Sequence, residues 1–123
     1  IGGPIIVTSW YRSPTLNQFL VDNPNYDASP NSTHMKGGTA DIVYFDEDEM
    51  KDIPQLIRVM VSLNLPFDRL LIEGGTVQAP QWLQVEYDTD KSYNDQRRIV
   101  RRINPGSTSG YDLTLQEIAD IYF

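Results

Sequence analysis

The chain has no cysteine and only one histidine, and these two scarcities remove several chemistries at once. Without cysteine there are no disulfide staples, thiolate metal sites or cysteine nucleophiles, and the redox compartment cannot be read. A single histidine, His34, makes a two-histidine metal site impossible within one subunit. No apolar run approaches the ~18 residues of a membrane span, and no basic, apolar, small-residue leader opens the chain, so no membrane span is expected. A start at Ile1 in place of methionine is expected of a processed chain or of part of a longer one. Basic residues are also few. Ten Lys and Arg against 17 Asp and Glu leave a net charge of −7, which argues against a nucleic-acid-binding face. Four of the ten, Arg97, Arg98, Arg101 and Arg102, lie within six positions, interleaved with Ile99, Val100 and Ile103. This reads as a strand with arginines along a solvated edge; a contact surface for an acidic partner is the alternative.

What is present suits one compact domain: 123 residues, 40% hydrophobic and 11% aromatic. Pro4 to Tyr11 is β-branched and aromatic enough to predict a strand. Ser13 before Pro14 predicts a helix start, with Leu16, Phe19 and Leu20 at helical spacing up to Asp22. Asn23 to Asn31 carries the Asn, Asp, Ser and Pro content of a surface loop. A second strand is expected over Thr39–Phe45, after Gly37 and Gly38, and the acids Asp46 to Glu49 are expected to begin a helix. Asp52 as cap and Pro54 then lead an apolar face of Leu56, Ile57, Met60, Val61 and Leu63. Arg69–Ile72, Trp82–Tyr87 and Arg97–Ile103 read as three further strands. The order β-α-β-α-β-β-β predicts a single α+β domain with a small, largely antiparallel sheet flanked by helices. Asn104, Pro105 and Gly106 open a Ser/Thr/Gly linker, and Thr114 with Glu117 forms a capping box before a last helix. The division expected is therefore 1–104 as the main domain and 105–123 as linker and terminal helix.

The run Ser32-Thr33-His34-Met35-Lys36-Gly37-Gly38-Thr39-Ala40-Asp41 sets a histidine and an aspartate seven positions apart across a glycine turn, where a loop enters a strand. Imidazole nitrogen and carboxylate oxygen are good zinc ligands, and a catalytic zinc takes three protein ligands and keeps one position for water. A satisfied structural histidine is the alternative reading of the pair alone.

This segment resembles the SxHxxGxAxD signature of the zinc D-Ala-D-Ala carboxypeptidase and L-alanyl-D-glutamate endopeptidase family, with Thr39 where the pattern has alanine. Thr8-Ser9-Trp10-Tyr11-Arg12-Ser13-Pro14-Thr15-Leu16-Asn17 is similar to the family's SGYRSPxLN segment, and Phe67 to Glu73 resembles the strand before its last motif. The resemblance spans roughly Pro4 to Ile103 and implies a hedgehog/DD-peptidase-like fold with His34 and Asp41 as metal ligands. It also implies Arg12 as a clamp for a substrate carboxylate, a job for a planar bidentate donor, with a structural salt bridge as the alternative. Ser32 and Trp82 are carried over as substrate-binding positions.

The family's third ligand and general base fail to appear. In Gln81-Trp82-Leu83-Gln84-Val85-Glu86 the tryptophan is in place, but Gln84 stands at the histidine position and Gln81 at the carboxylate position. A neutral amide is a weak zinc ligand and cannot accept a proton. Glu86, two residues beyond Gln84 on one strand face, and Glu73, ending the neighbouring strand, are the candidate replacement ligands or bases, with ordinary strand-edge carboxylates as the alternative. The expectation is a catalytically impaired or inactive peptidoglycan-peptidase-like domain, retained to bind stem peptides or to pack with other virion or assembly proteins. An active zinc peptidase using His34, Asp41 and Glu86 or Glu73 is the alternative. By analogy with phage and envelope peptidases, a virion or bacterial envelope is the expected location. The terminal helix and the arginine-rich strand are the expected contact surfaces.

Overall fold

The structure is a computed structural model that describes residues 5–23, 25, 28, 30–46, 49, 50 and 52–123. The β-branched run at the start forms β1 (Ile5–Ser9), which pairs antiparallel with β2 (Thr39–Asp46), Ile6 opposite Val43. Between them α1 (Pro14–Asp22) starts where the sequence places it: the Ser13 hydroxyl accepts from the Leu16 N–H at 3.2 Å, and Pro14 occupies the first turn. A 3-10 turn (Thr33–Lys36) follows, capped by Ser32 and closed by Gly37 at φ 77°, a left-handed conformation that glycine adopts without steric cost. Of the loop expected over Asn23–Asn31, Pro24, Tyr26, Asp27 and Ser29 lie outside the described residues, and the rest is turn and irregular chain.

The acids after β2 do not open a helix. Asp46 belongs to β2 and faces Glu49 of a short strand, β3 (Glu49–Met50), while Glu47 and Asp48 lie outside the described residues. Helix α2 (Ile53–Ser62) begins instead at Asp52, whose carboxylate accepts from the Gln55 N–H at 3.2 Å. The cap, rather than a run of negative charge, sets the boundary. Strands β4 (Arg69–Glu73), β5 (Trp82–Glu86), β6 (Ile99–Ile103) and β7 (Gly110–Asp112) complete a sheet of order β1-β2-β5-β4-β6-β7, with β3 beside β2. Every pairing is antiparallel except β4–β6. The domain is thus α+β with a largely antiparallel sheet.

Alternation along the strands gives the sheet two unlike faces. One carries Ile42, Leu83, Ile72, Leu70 and Val100, which pack with Leu56, Ile57 and Met60 of α2 to make the core. The other carries Asp41, Gln84, Glu86, Arg69, Leu71 and Glu73, in cross-strand rows Asp41–Gln84–Leu71 and Thr39–Glu86–Arg69.

The C-terminal stretch is more than a linker and an exposed helix. β7 adds to β6, and Leu113 with Ile118 and Tyr122 of α3 (Leu115–Tyr122) joins the same core. The Thr114–Glu117 capping box forms as expected. α3 buries its apolar stripe, so the helix as a whole is no free contact surface.

The arginine-rich strand is likewise not a solvated edge, since β6 lies between β4 and β7. Arg97 precedes it and grips buried Asp68 through Nε at 3.0 Å and Nη2 at 2.6 Å. This grip outweighs burial and, with help from Lys91, holds the Asp68 carboxyl far below the usual carboxylate range. Arg101 pairs with Asp112 at 2.9 Å. Arg102 is 4% exposed and donates to the carbonyls of Gly74 at 2.8 Å and Gly75 at 3.0 Å, capping a turn that only left-handed glycines make easily. Replacing Arg102 by methionine strands those carbonyls, and chemical denaturation should register a loss of about 2–3 kcal/mol. The same change at Arg101, whose ion pair reaches an exposed aspartate, should cost under about 1 kcal/mol.

Candidate functional site

The polar face of the sheet forms the floor of a cleft of about 520 Å³. Arg12, Ser32 and His34 line one side, Asp41, Glu73, Trp82, Gln84 and Glu86 the floor, and the turn through Gly106 and Thr108 another side. Every site residue that the resemblance singles out, Gln81 included, lines this one cleft. The register explains the convergence: Asp41 faces Gln84 across β2–β5, and Glu73 faces Trp82 across β4–β5.

His34 is buried, held by the 3-10 turn with its Nδ1 2.8 Å from the Trp10 carbonyl oxygen. Its Nε2 meets Gln84 Oε1 at 3.2 Å and Asp41 Oδ2 at 3.5 Å. The Gln84 amide is not free to turn. Its nitrogen donates to Glu86 Oε2 at 3.0 Å and to Thr33 Oγ1 at 3.4 Å, which leaves its oxygen toward His34. Both ring nitrogens therefore face acceptors, an arrangement that a doubly protonated imidazolium satisfies and a neutral ring does not. Burial opposes the charge, but Asp41 and the Trp10 carbonyl outweigh it, and the His34 pKa is raised above its ordinary value.

Glu86 does face the same way as Gln84, as the strand period predicts. Its oxygens are occupied: Arg69 grips both through Nε and Nη2, and Thr33 Oγ1 donates at 2.8 Å. Arg69 and Thr33 are the functional neighbours that sequence reasoning did not single out. The signal for Arg69 was its even spacing from Leu71 and Glu73 on one strand, which fixes a shared face but says nothing of a partner on β5.

Glu73 accepts from the Trp82 indole N–H at 3.0 Å. Burial, reinforced by the charge of Asp41, pushes its carboxyl up to about 7 against the pull of the indole and of His34. Arg12 donates to Asn17 Oδ1 at 3.0 Å and to Ser32 Oγ at 3.4 Å, and its backbone N–H binds the His34 carbonyl. Among the described residues it pairs with no carboxylate, and it lines the cleft.

A catalytic zinc calls for three ligands drawn from His, Cys, Asp or Glu. His34 and Asp41 come together, and Asp41 Oδ1 is buried with no hydrogen-bond partner among the described residues. The third group at that point is the Gln84 carbonyl oxygen, and no cluster of three such side chains is placed to hold an ion among the described residues. Two strong donors and an amide oxygen fall short of the catalytic set.

No protein-family model, no curated protein and no solved structure matches the chain. No helix among the described residues is long and apolar enough to cross a membrane.

The two raised pKa values act in the same direction. Folding raises the affinity of Glu73 and of His34 for a proton, so their stabilising contribution is complete at low pH. The Glu73 part is lost as pH rises from its ordinary 4.5 to about 7, and the His34 part as pH rises beyond 6.5 through its raised value. Urea titrations should find the protein less stable at pH 8 than at pH 5, and Glu73→Gln should flatten the lower part of that slope. A stability that climbs between those pH values contradicts the assignment.

Proposed function

We propose that the chain is a peptidase-like domain, of hedgehog/DD-peptidase-like architecture, that binds peptidoglycan stem peptides as a virion or envelope component and does not cleave them. The observation that supports this best is the orientation of Gln84. At the position where the resemblance calls for a third metal ligand, an amide held by Glu86 and Thr33 presents its oxygen to His34, whose pKa is raised by Asp41 and the Trp10 carbonyl against the effect of burial. Glu86, the candidate replacement, is already committed to Arg69. The binding half of the site is open by contrast. A peptide carboxylate entering the cleft meets the Arg12 guanidinium, which Asn17 and Ser32 orient but do not neutralise. Trp82, steadied by Glu73, offers an aromatic wall beside it.

A second reading, an active zinc peptidase, draws on two observations: the partnerless Asp41 Oδ1 and the Glu73 carboxyl that titrates near neutrality, where a general base is effective. When bound, zinc would polarise a substrate carbonyl and acidify water.

Titration calorimetry with a D-Ala-D-Ala-terminated stem peptide separates the two. The expected result is binding with no cleavage by mass spectrometry, with or without added zinc. Affinity should fall roughly 10- to 100-fold in Arg12→Ala, with partial recovery in Arg12→Lys, as loss of a charge-assisted pair requires. Stoichiometric zinc that disappears in His34→Ala, together with cleavage, establishes the second reading instead. The Gln84→His variant should gain tight zinc binding that the natural chain lacks, because it supplies the missing third ligand.

A further inference from the structure

The segment formed by β1 and α1 disagrees with its surroundings. Its sequence is written for a core, with a β-branched strand and the helical spacing of Leu16, Phe19 and Leu20, yet the domain leaves it in solvent. Ile5, Ile6 and Val7 are 40–57% exposed, although they occupy both faces of β1. Trp10, Tyr11 and Phe19 are 59–62% exposed, and the residue that α1 buries is Asn17. α1 is thus turned with a polar side chain inward, toward Arg12, and apolar ones outward. Large exposed apolar side chains concentrated in one stretch of chain point to an interaction site.

We infer that this surface joins two copies of the chain, β1 pairing antiparallel with β1 of a second copy. Two observations select that occupant. First, β1 ends the sheet order, and among the described strands it pairs with β2 alone, so one row of its backbone donors and acceptors is open to another strand. An antiparallel pairing of identical edges closes under a two-fold axis, which makes the contact self-complementary. Second, two copies that each carry −7 repel one another wherever their charges meet. Residues 5 to 21 hold a single charged side chain, Arg12, in a chain that is 22% charged, and Arg12 is turned into the cleft. This is the stretch where like copies approach without that penalty.

Strand pairing would also place the second copy beside the cleft, because the chain that leaves β1 supplies the Trp10 carbonyl that holds His34 and then Arg12.

The test is sedimentation velocity on the whole chain from about 1 to about 100 µM, read with hydrogen exchange at both ends of that range. The expected result is a mass that doubles with concentration and β1 amides that gain protection as it does. Val7→Lys and Phe19→Lys should each weaken association at least about tenfold, since a lysine on an edge strand or an apolar contact blocks docking. Leu115→Lys, at an 82% exposed position of α3, should leave it unchanged. Circular dichroism melts confirm that the variants fold. A chain that stays monomeric to about 100 µM, or a dimer that both lysine variants leave intact, overturns the inference.

Discussion

The Glu86 carboxylate, almost wholly buried and gripped by Arg69, orders much of the cleft floor. A buried carboxylate is tolerated when its lone pairs are filled, and Arg69, Thr33 and the Gln84 amide fill them here. The filling has consequences one bond further out. Because Glu86 takes the amide nitrogen of Gln84, the amide oxygen is turned toward His34 Nε2, where it favours a proton. An arginine that makes no hydrogen bond to the histidine thus bears on its surroundings through Glu86 and Gln84.

That chain of bonds separates two uses of one surface. A peptidase site needs donors left open for a metal and a base left free for water; here the groups at those positions satisfy one another. Among the described residues, Arg12 on the side and Asp41 Oδ1 and Glu73 on the floor keep bonding capacity toward the cleft. Mutual satisfaction favours a rigid cleft and the binding role proposed for it.

The same principle, read for apolar groups, applies at the other end of the sheet. The core closes over β2, β4, β5 and β6 through α2 and α3, and it stops before β1. Strand and helix that a core would cover are left for another molecule, and the open strand edge decides how that molecule attaches.

Helix starts were legible in the sequence because they depend on contacts within a few residues: Ser13, Asp52 and Thr114 cap as their positions require. So were the α+β class, the strands β1, β2, β4, β5 and β6, and the shared orientation of Gln84 and Glu86. The acids around Asp46 misled because charge alone does not cap a helix, and the short β3 pairing satisfies the backbone first. The arginines near β6 misled because exposure belongs to a strand's place in the sheet, and a parallel β4 with a late β7 covers both edges. By itself the sequence determined which residue types could meet a ligand and that Gln81 and Gln84 are neutral amides. Only the tertiary structure decided that Glu86 was already committed, that Arg12 meets no carboxylate among the described residues, and that β1 pairs with β2 alone among the described strands, because each depends on cross-strand register and on partners distant in the chain.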